Sequence, residues 1–375
     1  MIKEAFGLIY TGENTFRLRE LTNSRSVAAV PFGGRYRIID FMMSNLVNSG
    51  VRSVGLICQR NYHSLMDHLG SGKEWDLHRK RDGLFINPPF VTKDNTGNYR
   101  GTADAIMGVM GFIRRNTQRY CIMMGSHTVY NSTFNELLKF HKEKRADITI
   151  MYNFEPDQKY YDELYEDVHL FTREDGRVYD MEINPAHASS ARLGMDVFII
   201  DKELLEYLVQ DSIARANYDF MRDIVLKRLD ELRVYGFEYK GHVARIDSVL
   251  TYYKHSMQLL EEKVRQELFF RDGSIFTKVK DEVPARYGEN ALAKNSMLAD
   301  GCIIEGEIEN CMLFRGVHVA KGAKIKNSIL MQESVVQENA VLNHVILDKN
   351  VLIKRDRVLV GQEDFPVIIR KNAIV

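Results

Sequence analysis

The sequence predicts two successive folds in one chain, an α/β domain built on a mostly parallel sheet and then a parallel β-helix. Three observations predict this. Strand-like and helix-like segments alternate over the first two-thirds of the 375 residues, a long helical stretch covers 248–268, and aliphatic residues then recur every five or six positions. Strands that alternate with helices form parallel sheets with helices on both faces.

The alternation begins with an apolar strand over 5–10, which ends at the turn Thr11-Gly12. The elements predicted next are a helix over 37–49 that ends at Gly50, a strand over 54–58, a helix over 101–116, a strand over 120–124, a helix from about 131 with Thr133 and Glu136 at capping-box spacing, and a strand over 147–154. Ligands of such sheets bind beyond the carboxyl ends of the strands. We therefore expect the chemistry in the loops after Tyr10 and Met124.

The β-helix is predicted by the period near six after about residue 290. A β-sandwich would place its turns roughly eight to twelve residues apart. The aliphatic positions are Ile303, Ile308, Leu313, Val319, Ile325, Leu330, Val336, Val341, Leu347 and Leu352. Turn-forming pairs such as Glu305-Gly306 and Lys349-Asn350 fall between them.

Net charge and cysteine spacing indicate which partners, bonds and metal sites to expect. Lys+Arg and Asp+Glu both total 51, so net charge gives no argument for nucleic acid or an anionic membrane as partner, and it leaves self-association unopposed. The four cysteines form no C-x-x-C pair, which predicts buried reduced thiols rather than disulfides or zinc. The start carries Glu4 and lacks the basic region and the small-residue cleavage site of a signal peptide, and no apolar stretch has the length of a membrane span. These features predict a cytoplasmic protein.

The loop after the first strand is a weak phosphate cradle when taken alone. A cradle needs glycines so that backbone N–H groups can approach the anion, usually with a cation nearby. Here the loop reads Gly12-Glu13-Asn14-Thr15-Phe16-Arg17-Leu18, with a single glycine, an acidic side chain and a bulky ring. It predicts a tight turn more than a phosphate site.

Three longer segments carry a family resemblance: Arg17-Leu18-Arg19-Glu20-Leu21-Thr22-Asn23, Pro31-Phe32-Gly33-Gly34-Arg35-Tyr36-Arg37-Ile38-Ile39-Asp40-Phe41 and Tyr99-Arg100-Gly101-Thr102-Ala103-Asp104-Ala105. They resemble the ADP-glucose pyrophosphorylases (glucose-1-phosphate adenylyltransferases), and the likeness covers essentially the whole chain. The resemblance implies a Rossmann-like nucleotidyl-transferase domain over 1–247, a helical linker over 248–290 and a left-handed β-helix of hexapeptide repeats over 291–375.

The resemblance also shows what the chain lacks. The family transfers the adenylyl group of ATP to glucose 1-phosphate and releases pyrophosphate, with Mg²⁺ held by carboxylates. One acid belongs to a Gly-Asp-His segment that reads Gly125-Ser126-His127 here, and the other to an Arg-Asp pair that reads Arg245-Ile246. The degenerate positions Ser126 and Ile246 therefore imply no metal site and no catalytic residue. Asp247, one residue further on, is the ligand that an active enzyme would have to use.

Further departures fall on the same reaction surface. The cradle loses its glycines at Glu13, Asn14 and Thr15, the family's Ala-Lys-Pro-Ala becomes Ser26-Val27-Ala28-Ala29, and its Glu-Lys-Pro becomes Ile183-Asn184-Pro185. Loss of one charge-stabilising group commonly costs roughly a hundredfold or more in rate. Loss of both metal acids predicts almost no turnover.

These losses resemble those of the GlgD-type branch of the family. The resemblance implies a regulatory, catalytically impaired subunit that activates a homologous catalytic partner in bacterial glycogen biosynthesis. The expected assembly is a hetero-oligomer, typically a tetramer, with Mg²⁺ and ATP bound at the partner; a homo-oligomer is also open. Two alternatives remain, an active adenylyltransferase that uses Asp247 and, more weakly, a β-helix acyltransferase with His318 or His344 as base. His127 is interpreted as structural.

Some residues could keep ligand binding. Those expected to retain substrate contacts are Gly12, Arg17, Gln59, Tyr99, Arg100, Gly101 and Thr102. The segment 99–102 could instead preserve only a helix start. Arg25, Arg35 and Arg37 could form an effector-anion site, or they could be solvated or interdomain arginines.

Overall fold

The chain folds as two compact units. The computed structural model describes residues 1–12, 16–89, 98–155 and 167–375. The described residues within Met1–Asn14, Phe41–Val243 and Arg271–Phe276 form the sheet unit, and those within Thr15–Asp40, Ala244–Phe270 and Thr277–Val375 form the β-helix unit. The segment boundaries expected at 247 and 290 stay a prediction.

Most strands of the β-helix unit are shorter than those of the sheet unit. The first half of the strands comprises β1 (Ala5–Tyr10), β2 (Pro31–Phe32), β3 (Tyr36–Arg37), β4 (Ser53–Ile57), β5 (Gly83–Asn87), β6 (Tyr120–Met124), β7 (Thr128–Val129), β8 (Ile148–Phe154), β9 (Val168–Thr172), β10 (Val178–Ile183), β11 (Arg192–Asp201), β12 (Val234–Tyr239) and β13 (Ala244–Arg245). The second half comprises β14 (Arg286–Tyr287), β15 (Leu292–Lys294), β16 (Met297–Leu298), β17 (Ile303–Ile304), β18 (Glu307–Leu313), β19 (His318–Val319), β20 (Lys324–Leu330), β21 (Val335–Val336), β22 (Val341–Asn343), β23 (Val345–Leu347), β24 (Leu352–Ile353), β25 (Val358–Val360) and β26 (Val367–Ile369).

The α-helices of the described residues are α1 (Ile38–Asn48), α2 (His63–Leu69), α3 (Thr102–Gly108), α4 (Met110–Arg115), α5 (Asn135–Glu143), α6 (Lys202–Ala214), α7 (Val249–Gln258) and α8 (Glu262–Phe269). A π-helix covers Phe220–Val225, and 3₁₀ turns cover Phe16–Thr22, Val27–Ala29, Lys73–Trp75 and Leu226–Arg228. In the described part of the chain, no helix is long and apolar enough to cross a membrane.

A nine-stranded sheet forms the centre of the sheet unit. Its strand order is β10-β9-β11-β6-β1-β4-β5, and β8 and β12 extend it beside β11. β1 pairs in parallel with β4 and β6, and β4 with β5, whereas β11 runs antiparallel to β6 and β8. Apolar side chains of the sheet pack on α3, α4 and α6 in one buried cluster. The predicted α/β fold class is confirmed.

The β-helix unit contains a left-handed parallel β-helix, as expected. Strands of successive coils pair in parallel, for example β17 with β19 and β18 with β20. Asn295, Asn310 and Asn327 occupy equivalent corners with φ of 42°, 51° and 47°, a conformation that asparagine tolerates better than most residues. The Asn295 amide donates to Asn310 (2.8 Å) and that of Asn310 to Asn327 (3.1 Å). This ladder stabilises one edge of the coils.

The predicted aliphatic positions line the core of the coils with a one-residue offset at three places. Ile303, Val341 and Leu352 are half-buried, and the residues that follow them are buried instead. The seven others are buried, namely Ile308, Leu313, Val319, Ile325, Leu330, Val336 and Leu347. The side-chain period of two in a strand makes the neighbour of an inward residue point outward, so sequence spacing alone leaves this offset undetermined.

The predicted helix over 248–268 is wrong in one respect, because the structure has two helices there. α7 ends at Gln258 and α8 begins at Glu262, with Glu261 extended (φ −83°, ψ 127°). Arg265 donates to the Leu259 carbonyl (2.8 Å), which satisfies a backbone acceptor freed at the break. Leu259 itself is fully buried. The break between the two helices therefore accompanies the burial of Leu259 in the apolar core.

Two other helix predictions need correction. The helix predicted over 101–116 is α3 and α4, interrupted at Val109 (φ −110°, ψ 16°). The expected capping box at Thr133 and Glu136 does not form, since α5 begins at Asn135 without a side-chain cap. The Phe134 N–H, just before the helix, instead donates to the Ser49 hydroxyl (2.8 Å). A tertiary contact thus replaces the local one.

The cysteines are reduced and buried, as predicted, at Cys58, Cys121, Cys302 and Cys311. Burial raises the pKa of the Cys58 thiol to about 12. A thiol of that kind is a weak nucleophile near neutral pH.

Candidate functional site

The carboxyl ends of β1, β4 and β6 lie side by side, because these strands are parallel neighbours. The turn after β1 is fixed to the end of β4: the Thr11 N–H and hydroxyl both donate to the Ile57 carbonyl, at 3.0 and 3.1 Å. The loops predicted to carry chemistry, after Tyr10 and after Met124, therefore lie on one edge of the sheet. This is where open α/β sheets bind ligands.

Gly12 and Gln59, two of the expected substrate residues, are brought together at this edge. A Cβ built on Gly12 would lie 2.5 Å from Gln59 Oε1 and 2.5 Å from the Tyr10 hydroxyl oxygen. Tyr10 donates a hydrogen bond to the Gly12 carbonyl (3.1 Å). The altered cradle positions Glu13, Asn14 and Thr15 lie outside the described residues, and Arg17 belongs to the β-helix unit.

The segment 99–102 is anchored to the chain around Tyr218. Arg100 forms an ion pair with Asp104 (3.0 Å), donates to the Tyr218 hydroxyl (2.7 Å) and lies 3.8 Å above the Tyr218 ring. The Thr102 hydroxyl accepts from the Phe220 N–H (2.9 Å). A Cβ on Gly101 would lie 2.4 Å from the Tyr218 carbonyl oxygen. These contacts hold the start of α3, which favours the structural interpretation of the segment.

The first degenerate metal position, Ser126, follows β6 and is fully buried. Its neighbour His127 is oriented by an acid that sequence analysis missed: Nε2 lies 3.1 Å from Asp196 Oδ2. Asp196 adopts a positive φ of 53° where the register of β11 shifts between Gly194 and Val197. The feature of the sequence that could have indicated this contact is Asp196, an acidic residue in the middle of the mostly apolar strand β11. This pairing supports the structural interpretation of His127.

The second degenerate position, Ile246, is fully buried within the β-helix unit. The alternative acid, Asp247, accepts a hydrogen bond from the Thr251 hydroxyl (2.8 Å). Thr251 and Ser248 form the capping box that starts α7. One oxygen of Asp247 is thus used in helix capping.

The residues at these two positions do not fit the family's magnesium. A buried neutral hydroxyl and a buried sec-butyl group offer none of the anionic oxygens that Mg²⁺ prefers. Among the residues that the structure describes, no group of three or more His, Cys, Asp and Glu side chains could hold a metal ion.

The expected effector arginines fall into different environments of the β-helix unit. Arg25 is buried and its Nη2 donates to both oxygens of buried Asp348, at 2.9 and 3.0 Å. Arg35 lies over the Tyr36 ring at 5.9 Å. Arg37 lies close enough to Lys349 for its positive charge to lower the pKa of the Lys349 amine. Arg25 therefore has a structural partner, which sequence spacing could not reveal.

Lys349 is the basic residue that sequence analysis missed. Burial, reinforced by the nearby charges of Arg37 and Arg25, lowers its pKa to about 6, and Lys371 acts in the same direction. Asp348 opposes this shift. Three basic side chains and a single carboxylate therefore act on the Lys349 amine, and an added anion would favour its charged form.

The two β-helix histidines of the acyltransferase interpretation have protein partners. His318 Nε2 lies 3.3 Å from Glu305. His344 Nδ1 lies 2.8 Å from the Tyr253 hydroxyl, which also donates to the Asn327 carbonyl (2.7 Å). His344 thus extends the asparagine ladder at a corner with φ of 52°.

Comparisons with known proteins agree with this architecture. The family model described as nucleotidyl transferase matches residues 6–251, and that described as the GlmU-like C-terminal hexapeptide matches residues 281–364. The chain is 39% identical to the glycogen biosynthesis protein GlgD of Bacillus subtilis (strain 168) over 367 residues, 96% of this chain and 95% of that protein. It is 33% identical to the glucose-1-phosphate adenylyltransferase of Acetivibrio thermocellus over 365 residues, 96% of this chain and 84% of that protein. The enzyme of the same name from Clostridium novyi (strain NT) is 32% identical over 326 residues, 86% of this chain and 84% of that protein.

Proposed function

Because the chain belongs to the ADP-glucose pyrophosphorylase (glucose-1-phosphate adenylyltransferase) family, we propose that it is a regulatory subunit with little or no catalysis. In this role it raises the activity of a homologous catalytic subunit in cytoplasmic glycogen biosynthesis. The observation that carries the proposal is the pair of buried, non-acidic residues Ser126 and Ile246. Without acidic ligands, Mg²⁺ has no site from which to neutralise the phosphates.

The catalytic partner supplies what this chain lacks. We propose that ATP and Mg²⁺ bind there and that the two kinds of subunit form a mixed oligomer, with a tetramer as the expected size. The matches over 96% of this chain to both the GlgD protein and a glucose-1-phosphate adenylyltransferase support a common architecture for the two subunits.

A regulatory role would also explain why several basic side chains lie near Lys349 in the β-helix unit. We propose that Arg25, Arg35 and Arg37, joined by Lys349, contribute to a site for an anionic effector. Burial, together with the nearby charges of Arg37 and Arg25, lowers the pKa of Lys349. This supports the proposal, because a bound anion would favour the charged amine. The Arg25–Asp348 ion pair positions the segment that carries the other arginines.

An activity assay with separate and mixed subunits tests the proposal. Purified chain, catalytic partner and a mixture receive ATP, Mg²⁺ and glucose 1-phosphate, and pyrophosphate release is measured. We expect no release by the lone chain and more release by the mixture than by the partner alone. A partner with its own metal acid replaced by asparagine is the control and should be silent with or without this chain.

The alternative function is an active adenylyltransferase that uses Asp247. Robust pyrophosphate release by the lone chain, lost in Asp247→Asn, would favour this alternative over the regulatory role. The hydrogen bond from Thr251 to Asp247 argues against it, since that carboxylate already serves the start of α7.

A further inference from the structure

The open face of Gly12 is already filled by side chains of the sheet unit. Glycine in a ligand-binding turn leaves room for another molecule to approach the backbone. At Gly12 the Tyr10 hydroxyl oxygen and Gln59 Oε1 take this room, each 2.5 Å from where a Cβ would lie. The lack of a side chain at Gly12 therefore lets Tyr10 and Gln59 cover the backbone of the turn.

Tyr10 is held over the turn by two kinds of contact. Its hydroxyl donates to the Gly12 carbonyl (3.1 Å), and its ring packs, partly buried, against the apolar cluster under the sheet. Tyr10 is the last residue of β1 and pairs with Ile57 at the end of β4. The parallel pairing therefore fixes the ring at the edge where ligands of this sheet class bind.

The covered space suits a nucleoside better than a phosphate. Tyr10, Gly12 and Gln59 provide an aromatic surface, a carbonyl and a carboxamide, and none of them is cationic. A carboxamide offers both a donor and an acceptor to the edge of a base. A phosphate would instead want cations or several backbone N–H groups.

We infer that Tyr10 is an autoinhibitory side chain that occupies the nucleoside part of the cleft, so that a nucleoside phosphate enters only after the ring rotates away. The inference rests on the family membership from which the proposed function starts, because it takes the sheet unit to keep a nucleotidyl-transferase cleft. It adds a second cause of weak substrate engagement, independent of the missing metal acids. This second cause is removable by a single substitution.

The energetic consequence is a measurable loss of affinity. A ligand that binds only the open state has its apparent affinity reduced by the fraction of molecules that are open. Breaking one neutral hydrogen bond, that of Tyr10 with Gly12, changes this fraction by about 2- to 12-fold. Displacement of the ring from its apolar contacts adds to this factor.

Calorimetric titration of the full chain with ATP, without Mg²⁺, tests the inference. Tyr10→Phe removes only the hydroxyl, and Tyr10→Leu removes the ring but keeps an apolar side chain on the core. We expect ATP to bind Tyr10→Phe about 2- to 12-fold more tightly than the wild type, and Tyr10→Leu more tightly still. Tyr179→Phe and Tyr179→Leu, at a half-exposed tyrosine of β10, are the matched controls and should leave the affinity unchanged.

Three outcomes would overturn the inference. The first is ATP binding by both Tyr10 variants that is equal to or weaker than that of the wild type, including no measurable binding, while thermal melting shows both to be folded. The second is an equal gain for inorganic tripolyphosphate, which would remove the assignment to a nucleoside. The third is an equal gain in the Tyr179 variants. None of these results touches partner activation, so failure here is distinguishable from failure of the regulatory role.

Discussion

Lys349 is the residue whose charge state depends most on folding among the lysines with a resolved shift. Its pKa falls to about 6 in the folded chain, whereas an unperturbed lysine has a pKa of about 10.4. Between these values the unfolded chain binds more protons than the folded one, so stability rises with pH across that window. At lower pH the folded state must hold a poorly solvated ammonium group beside arginines.

Lys349→Met should therefore stabilise the protein in a pH-dependent way. We expect its free energy of unfolding to exceed that of the wild type by about 1–4 kcal/mol near pH 6, with the difference shrinking as the pH approaches about 10. Urea denaturation at several pH values measures this. Lys354→Met, at an exposed lysine of the same coil region, serves as control. A gain that is the same at every pH would show that the amine does not titrate as argued.

The buried Arg25–Asp348 pair is expected to behave differently from a surface ion pair. Removing one partner leaves a buried charge uncompensated, which typically costs about 3–5 kcal/mol, whereas replacing both by apolar residues is often nearly neutral. Arg25→Met and Asp348→Leu should each destabilise the chain strongly, and the double variant much less than their sum. A double-mutant cycle in urea reports this coupling. Additive losses would mean that the two side chains do not depend on each other.

Contacts between residues far apart in sequence are what sequence reasoning could not supply. Arg25 and Asp348 are 323 positions apart, and His127 meets Asp196 from a neighbouring strand. The absence of acids at Ser126 and Ile246 could be read directly, because it required only alignment to a motif. The partners that now surround these positions depend on strand register and coil stacking.

At the scale of elements, Gly101 and Gly111 in the α3–α4 region have opposite roles. A Cβ on Gly101 would lie 2.4 Å from the Tyr218 carbonyl oxygen, while one on Gly111 would meet nothing within 4 Å. Gly101 therefore permits the start of α3 to approach the chain at Tyr218. Gly111, inside α4, only adds flexibility to the unfolded chain.

Alanine at each glycine should shift stability in opposite directions. Gly101→Ala forces backbone displacement and should cost about 1–3 kcal/mol, whereas Gly111→Ala should gain about 0.5–1 kcal/mol as a better helix former. Thermal and urea denaturation of the two variants checks this. A stable Gly101→Ala protein would mean that the contact between α3 and Tyr218 can relax at no cost.

Elements with strong local signals could be predicted closely from the sequence. The strands over 5–10 and 120–124 have the observed bounds, because each is a short apolar run between clear breaks. The break between α7 and α8 could not be predicted, since apolar spacing continues through it and burial of Leu259 decides it. The cap of α5 was missed for a related reason, namely that Ser49 from α1's end supplies the partner.

At the scale of the whole molecule, the proposal separates architecture from chemistry. The chain keeps the nucleotidyl transferase and hexapeptide parts of its family. In the proposal, the buried Ser126 and Ile246 replace the acids that would hold a metal ion. A subunit of this kind can match the shape of a catalytic partner while contributing no turnover. Its effect on the partner then comes from binding free energy between subunits, since a ligand or partner shifts an equilibrium only by its differential affinity for two states.

This separation predicts that Ser126 is irrelevant to the chemistry of the mixed oligomer. Ser126→Ala removes the hydroxyl at the first degenerate metal position, and we expect kcat of the mixed oligomer to change by less than about twofold, since no transition-state contact is lost. The matched substitution at the corresponding aspartate of the catalytic partner should reduce kcat by about 100-fold or more. Both are measured as pyrophosphate release at equal amounts of assembled oligomer. A tenfold loss in Ser126→Ala, with the melting temperature and the amount of assembled oligomer unchanged, would contradict this prediction.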